Sequence, residues 1–287
     1  MQHHLTPRTI ALGLLTYLLF STMDSLGRLV MQMGYTQQQV LMCIMSIALL
    51  PPFALVAYEK DWRNLWPRQP GLMALRVMFS CIELALVFYT FRHLQLAESY
   101  ALFFTMPIWV ALLAALLLHE RLQPRQMLAI GLGFMGVIVS NLRPEGLSAL
   151  SSGHLAGLGA ALLAAIGFIV MRKVSHSGSG TNVVLAMFMG LASFNAVTLE
   201  QLLPLSGHAL LLLSGAGLCA GIAHCSYLLA IRTTPAGLVA PFQYSQVLWA
   251  LLYGTLLFHE PVQWQVLAGL VLIVSAGWLL VKKQKER

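Results

Sequence analysis

Apolar runs of about 20 residues follow one another along almost the whole sequence, separated only by short polar breaks. That is the length an α-helix needs to cross a hydrocarbon layer about 30 Å thick. Ten such runs can be drawn, at 9–30, 38–58, 72–91, 97–118, 126–142, 154–171, 182–203, 209–231, 236–258 and 264–281. Turn-rich stretches such as EKDWRNLWPRQP, RPEGLSALSSG, SHSGSGT and PLSG divide them. Within lipid every backbone polar group must be satisfied internally, which leaves helices or closed barrels, and runs of this length are helices. The charged fraction is only 9%, with mean hydropathy +0.77. A soluble domain carries about 25% charged residues, so a soluble fold here lacks the side chains to cover its apolar surface. The first run follows MQHHLTPR. It is too long for a signal peptide and has no small-residue cleavage site, so a retained helix is expected.

The basic residues set direction. With ten crossings both termini share a side. Arg8, Lys60, Arg63, Arg68, Arg121, Arg125, Arg172, Lys173, Arg232, Lys282, Lys283, Lys285 and Arg287 fall on that side, against Arg28, Arg92 and Arg143 on the other. Lys and Arg concentrate in cytoplasmic loops, so both termini are expected in the cytoplasm, with the chain in the cell's inner (plasma) membrane. The net charge of +7 is therefore a topology signal, and no nucleic-acid partner is expected. Cys43, Cys81, Cys219 and Cys225 all lie inside apolar runs and read as packing groups without a disulfide framework. Cys219 and Cys225 flank His224 at a spacing that fits no zinc pattern. No P-loop or Gly-rich nucleotide fingerprint is present, so neither a cofactor nor ATP hydrolysis by the chain itself is expected.

The sequence is also doubled. At an offset of 140, RHLQLAESYALFFTMPIWVALLAALLLHE lies on RTTPAGLVAPFQYSQVLWALLYGTLLFHE, matching Arg92 with Arg232, Trp109 with Trp249 and the two His-Glu pairs. At an offset of 144, Gly13 meets Gly157 and Arg28 meets Arg172. This divides the chain into repeats at 1–146 and 147–287, each of five helices. Five is odd, so the second repeat enters the membrane inverted. Arg121 and Arg125 follow the first His-Glu, whereas no Lys or Arg follows the second until Lys282. His119-Glu120 and His259-Glu260 thus lie on opposite faces and cannot react together. Each reads as the polar stop of the fourth helix of its repeat. Inverted repeats are an architecture of secondary transporters, with the substrate site near the bilayer midplane where the repeats meet.

The repeat ending LLLHERLQPRQMLAIGLGFMGVIV, the fourth-run LAESYALFFTMPIWVALLAALLLHE and STMDSLGRLV in the first run resemble the drug/metabolite transporter superfamily, in its EamA-like ten-helix branch. The resemblance covers nearly the whole chain. It implies an all-α polytopic membrane protein of ten transmembrane helices in two inverted five-helix repeats. It also implies a carrier of small metabolites such as amino acids, nucleotide-like compounds, riboflavin or S-adenosylmethionine. The ninth run departs from the family pattern, with Val247 where members usually carry proline and Pro241 six residues earlier.

Ionisable groups at membrane depth are costly and are candidates for function. Tyr17, Ser21 and Asp24 share a face of the first helix, and Arg28 stands one turn after Asp24, in the order that favours an ion pair. Glu83 lies near the middle of the third helix, with Ser80 and Arg76 one and two turns earlier. A carboxyl there could take up and release a proton as access alternates. His224 and Tyr227 occupy the corresponding level of the second repeat, and Phe104, Trp109, Gln243, Tyr244 and Gln246 line the fourth and ninth helices. Aromatic walls with a few amides suit a flat or partly apolar metabolite. For each of these residues the plainer reading is helix packing, above all for the matched Trp109 and Trp249. Pro107 frees a carbonyl in the fourth helix and permits a bend.

The expected function is gradient-coupled transport of a small organic metabolite, by a monomer or homodimer, with the lipid bilayer and protons as further partners. Efflux of drugs or metabolites by the same fold is the alternative. An intramembrane enzyme would need a convergent ligand set such as His-Glu-x-x-His, and neither His-Glu pair is followed by the second His. A non-transporting partner subunit would lack a water-accessible cavity around Asp24 and Glu83.

Overall fold

A computed structural model describes residues 7–60, 62, 69–117, 124–140, 151–174, 187–192, 202–233 and 240–281. Among these residues the regular structure is helical, with no strand. The first run is α1 (Pro7–Gln32). The second is divided into α2 (Gln37–Ala48) and α3 (Leu50–Glu59), and the third is α4 (Pro70–His93). The fourth is divided into α5 (Leu96–Phe103) and α6 (Met106–Leu117). Then come α7 (Pro124–Ser140), α8 (Ser152–Val174) and a helical stretch at 187–192 in the seventh run. The eighth run is α9 (Gly207–Thr233), the ninth a 3-10 segment (Ala240–Ser245) continuing as α10 (Gln246–Phe258), and the tenth α11 (Trp264–Val281). Thr9–Gln32, Gln37–Glu59, Pro70–His93 and Gly207–Ala230 are each long and apolar enough to cross a membrane.

The two divided runs have local causes. Pro51 and Pro52 lie in the first turn of α3, where they remove the donors that would continue α2. Pro107 does the same at the start of α6, where Thr105 turns its hydroxyl onto the Leu102 carbonyl at 2.7 Å. At other ends the cap is explicit. Thr36 accepts the Gln39 N–H at 3.3 Å, while Lys60 and His259 take left-handed conformations (φ 55° and 51°) to close α3 and α10.

The described helices fall into two compact units. One comprises Met1–Cys81 with Lys173–Gln243, the other Ile82–Arg172 with Tyr244–Arg287, so each draws on both halves of the sequence. In the first unit α9 packs against α1, α2 and α3. Gly217 and Gly221, one turn apart on α9, receive the α2–α3 break. A Cβ on Gly217 would fall 2.6 Å from Ile47 Cβ, and one on Gly221 2.6 Å from the Ala48 carbonyl oxygen. Small residues allow such close approach, and close approach is how helices associate in lipid. At the start of α2 the Gln39 amide makes two bonds to one residue. Its Nε2 donates to the Leu203 carbonyl at 2.6 Å and its Oε1 accepts the Leu203 N–H at 3.2 Å. Tyr35 adds a second tie, accepting the Ser206 N–H at 2.9 Å. Hydrogen bonds from Ser206 hold that phenol below its ordinary pKa.

In the second unit α7 lies along α11, and α5 packs against α10. At the α7–α11 crossing, a Cβ on Gly136 would sit 2.7 Å from the Gly269 carbonyl oxygen. The α4–α5 hairpin holds an aromatic cluster in which Phe91 contacts Phe88, Tyr100 and Phe103 at centroid distances of 5.9, 5.8 and 5.5 Å.

Candidate functional site

In the first unit, α1 presents Tyr17, Ser21, Asp24 and Arg28 along one side, all four buried. Helical spacing places them there, as expected from the sequence. α4 contributes Arg76 and the buried Ser80, and α9 contributes His224 and Tyr227. Several of these groups meet. Phe20, between Tyr17 and Ser21, sets its ring edge-to-face with His224 at 5.1 Å and tilts against Tyr17 at 6.4 Å. Tyr17 and Tyr227 are near enough to interact electrostatically, and the Arg76 guanidinium acts on both His224 and Tyr227.

His224 is itself exposed, in the middle of an apolar helix. Its Nδ1 lies 2.8 Å from the Ala220 carbonyl, one turn back. A carbonyl only accepts, so Nδ1 carries the proton, and in the neutral ring Nε2 keeps its lone pair. The first unit thus offers a nitrogen acceptor on α9, a guanidinium on α4 and three aromatic rings on α1 and α9.

The remaining expected residues lie elsewhere. Gln243 ends the first unit. Glu83, Phe104, Trp109 and Gln246 belong to the second. Phe104 is buried and stacks on Tyr100 at 6.1 Å, so it packs as core. Trp109 meets Phe134 edge-to-face at 5.8 Å. The indole N–H groups of Trp109 and Trp249, the matched pair, are buried with no hydrogen-bond partner among the described residues. Gln246 is buried at the start of α10, and the side chain of Tyr244, like His119 and Glu120, lies outside the described residues.

Sequence reasoning missed two contacts in the second unit. Glu98, in the first turn of α5, and His154, in the first turn of α8, form a buried pair with Nε2 to Oε1 at 3.0 Å and relative exposures of 3% and 2%. Their partnership spans 56 residues, which no periodicity connects, although each is a polar residue placed just inside an apolar run. The other is Glu260, whose Oε2 accepts the Leu96 N–H at 3.1 Å and so caps α5 from a different part of the chain.

Apolar helices of membrane-crossing length, with charged and polar groups turned into the packed interior, define a polytopic membrane protein. Within that class the chain belongs to the EamA-like transporter family, whose model matches residues 7–142 and again 151–282. An uncharacterized transporter of Helicobacter pylori strain J99 is 23% identical over 94% of this chain and 93% of its own length. The riboflavin transporter of Vibrio cholerae is 24% identical over 100% of this chain and 98% of its own. Human solute carrier family 35 member G1 is 24% identical over 71% of this chain and 60% of its own. A crystal structure with 17% identity superimposes with a TM-score of 0.68 over 97% of this chain and 99% of the other, a likeness of fold. The named relatives are transporters, and none is named as an enzyme.

Proposed function

We propose that the chain is a secondary active transporter that carries a small organic metabolite across the inner (plasma) membrane by alternating access, driven by a proton or other ion gradient. The observation that carries this reading is His224. It is exposed on an apolar helix with its tautomer fixed by Ala220, beside Phe20 and within electrostatic range of Arg76. A polar group at membrane depth is costly, and one whose ring keeps accessible surface there is a candidate for function. An acceptor nitrogen, a guanidinium and aromatic rings together suit a planar metabolite with a polar ring edge. A riboflavin-like compound fits that description, and the full-length likeness to a riboflavin transporter supports it. Asp24 is a gate with Arg28 one turn away, and Glu83 is the coupling carboxyl. The repeats at 1–146 and 147–287 rock about the site, with both termini cytoplasmic.

Uptake into proteoliposomes tests the reading, with riboflavin, S-adenosylmethionine and amino acids offered with and without a pH gradient. Gradient-dependent accumulation of one of them is expected. His224→Ala should weaken its half-saturation about tenfold, the size of one lost hydrogen bond. Glu83→Gln should abolish gradient-driven uptake and spare counterflow exchange. No accumulation of any of them, or uptake indifferent to both substitutions, refutes the proposal. A reporter cysteine after Glu260 should label from outside and one after Glu120 only from inside, in a cysteine-free background. Labelling of both from one side defeats the inverted topology.

A further inference from the structure

The hydrogen bond that orients His224 also decides what the ring can recognise. Nδ1 lies 2.8 Å from the Ala220 carbonyl, so Nδ1 holds the ring proton and donates it to the backbone of its own helix. The two nitrogens of an imidazole point to largely opposite sides, so the Nε2 lone pair is directed away from the α9 backbone. Phe20 of α1 meets the ring edge-to-face at 5.1 Å, with an interplanar angle of 89°, which holds its plane. Tyr17 leans on Phe20 in turn at 6.4 Å. No described residue donates to Nε2, and the ring keeps accessible surface at membrane depth.

An acceptor so placed selects for a proton donor. Solvent satisfies such a nitrogen when nothing covers it. A ligand that covers it with a methyl group strips the solvent and returns no bond, at the cost of a stranded acceptor. A ligand that brings an N–H restores the bond. Sites built to bond a ligand hydrogen discriminate well against analogues that lack it, because the loss falls on the protein's own unpaired atom. The ring is neutral in this role. A second proton would make a cation at membrane depth, and the charged group that acts on the ring, the Arg76 guanidinium, has the same sign.

The neighbouring side chains narrow the donor to one on a flat ring. Phe20 and Tyr17 are aromatic, and Tyr227 stands about one turn after His224 on α9. Aromatic walls bury a planar heterocycle with favourable stacking or edge contacts and gain less from a flexible chain. An ammonium donor would bring a further positive charge to a site where Arg76 already acts. A neutral N–H in the edge of a ring, as in an imide or lactam, meets both conditions.

We propose, resting on the reading of this site as the one that takes substrate, that His224 is its specificity-determining residue. It admits flat heterocycles that carry an N–H on the ring edge, and it refuses those in which that hydrogen is replaced by methyl. Two compounds that differ at this one position are therefore told apart by a single lone pair.

Riboflavin and uridine each carry an imide N–H in the ring, and the imide-N-methyl derivative of each is its control. Equilibrium dialysis against the full-length protein in lipid nanodiscs measures binding without a gradient. At least one parent compound should bind about tenfold more tightly than its methyl derivative. His224→Asn still offers a donor to the Ala220 carbonyl but has no atom in place of Nε2. His224→Phe keeps the bulk of the ring, and so separates a lost acceptor from gained room. In both variants parent and derivative should bind within about twofold of each other. Should one variant not fold, the other decides. Nitrogen NMR of histidine-labelled protein gives a direct signature. The unprotonated-nitrogen resonance that His224→Asn removes should shift on adding the parent compound and stay in place with the derivative. Equal binding of parent and derivative to native protein, a preference that survives in the variants, an unmoved resonance, or no binding of either parent each overturns the proposal. Uptake into proteoliposomes keeps the two readings apart. A donor preference in binding without gradient-driven uptake refutes carriage alone, while equal uptake of parent and derivative refutes the role of His224 alone.

Discussion

Removing the carboxylate of Glu260 should loosen a helix far from it in sequence. α5 is only eight residues long, and its N-cap residue Gln95 makes no side-chain capping bond. The Leu96 N–H is instead taken by Glu260 Oε2 at 3.1 Å, and Leu96 is fully buried, so water does not readily replace that acceptor. In Glu260→Ala the stranded donor costs about 1–3 kcal/mol. Loss of a negative charge at the helix N-terminus adds about 0.3–1 kcal/mol. A total near 2 kcal/mol corresponds to roughly thirtyfold faster exchange of the amides at the start of α5. Glu260→Gln keeps an oxygen in place and loses only the charge, so about a twofold increase is expected. Hydrogen exchange with mass-spectrometric readout of a peptide spanning 92–103, on purified protein, makes the comparison. Equal rates in the two variants, or an Ala variant within about twofold of native, would refute the cap.

Other consequences are as specific. On α7, Gly136→Ala should destabilise by about 1–3 kcal/mol because its methyl group meets the Gly269 carbonyl, while Gly131→Ala, with no neighbour within 4 Å, should be neutral or stabilising. Thermal unfolding of the two variants side by side separates them, and equal midpoints would contradict the crossing. Gln39→Ala leaves both backbone groups of Leu203 without their partner and should make residues 202–206 markedly more sensitive to limited proteolysis. His259→Gly should raise thermal stability by about 1 kcal/mol, since it relieves a left-handed conformation at a non-glycine residue.

The fold is largely legible in the sequence because lipid leaves few options. Long apolar runs with Pro- and Gly-rich breaks mark the helices, and α1, α4, α9 and α11 match their runs closely. The second run reads as one span, yet Pro51 and Pro52 divide it, just as Pro107 divides the fourth. The face of α1 that carries Tyr17, Ser21 and Asp24 follows from helical spacing alone. Phe104, which reads as a wall of the site, is packed in an aromatic core, because composition does not say which side of a helix meets a neighbour. The His-Glu phrase at 259–260 is half legible. His259 does end α10, as a polar stop should, but the work of Glu260 on α5 depends on a contact that spans 164 residues. Glu98 and His154 are hidden for the same reason.

The crossing of α7 and α11 restricts motion within the second unit. Where Gly136 meets Gly269, two main chains touch, flanked by the side chains of Ile273 and Ser140. Sliding one helix along the other would drive a carbonyl into the opposite backbone, which has no rotamer with which to yield. Turning about the contact disturbs few atoms. The crossing therefore works as a fulcrum, and rearrangements of this unit should occur as rotations about one fixed point.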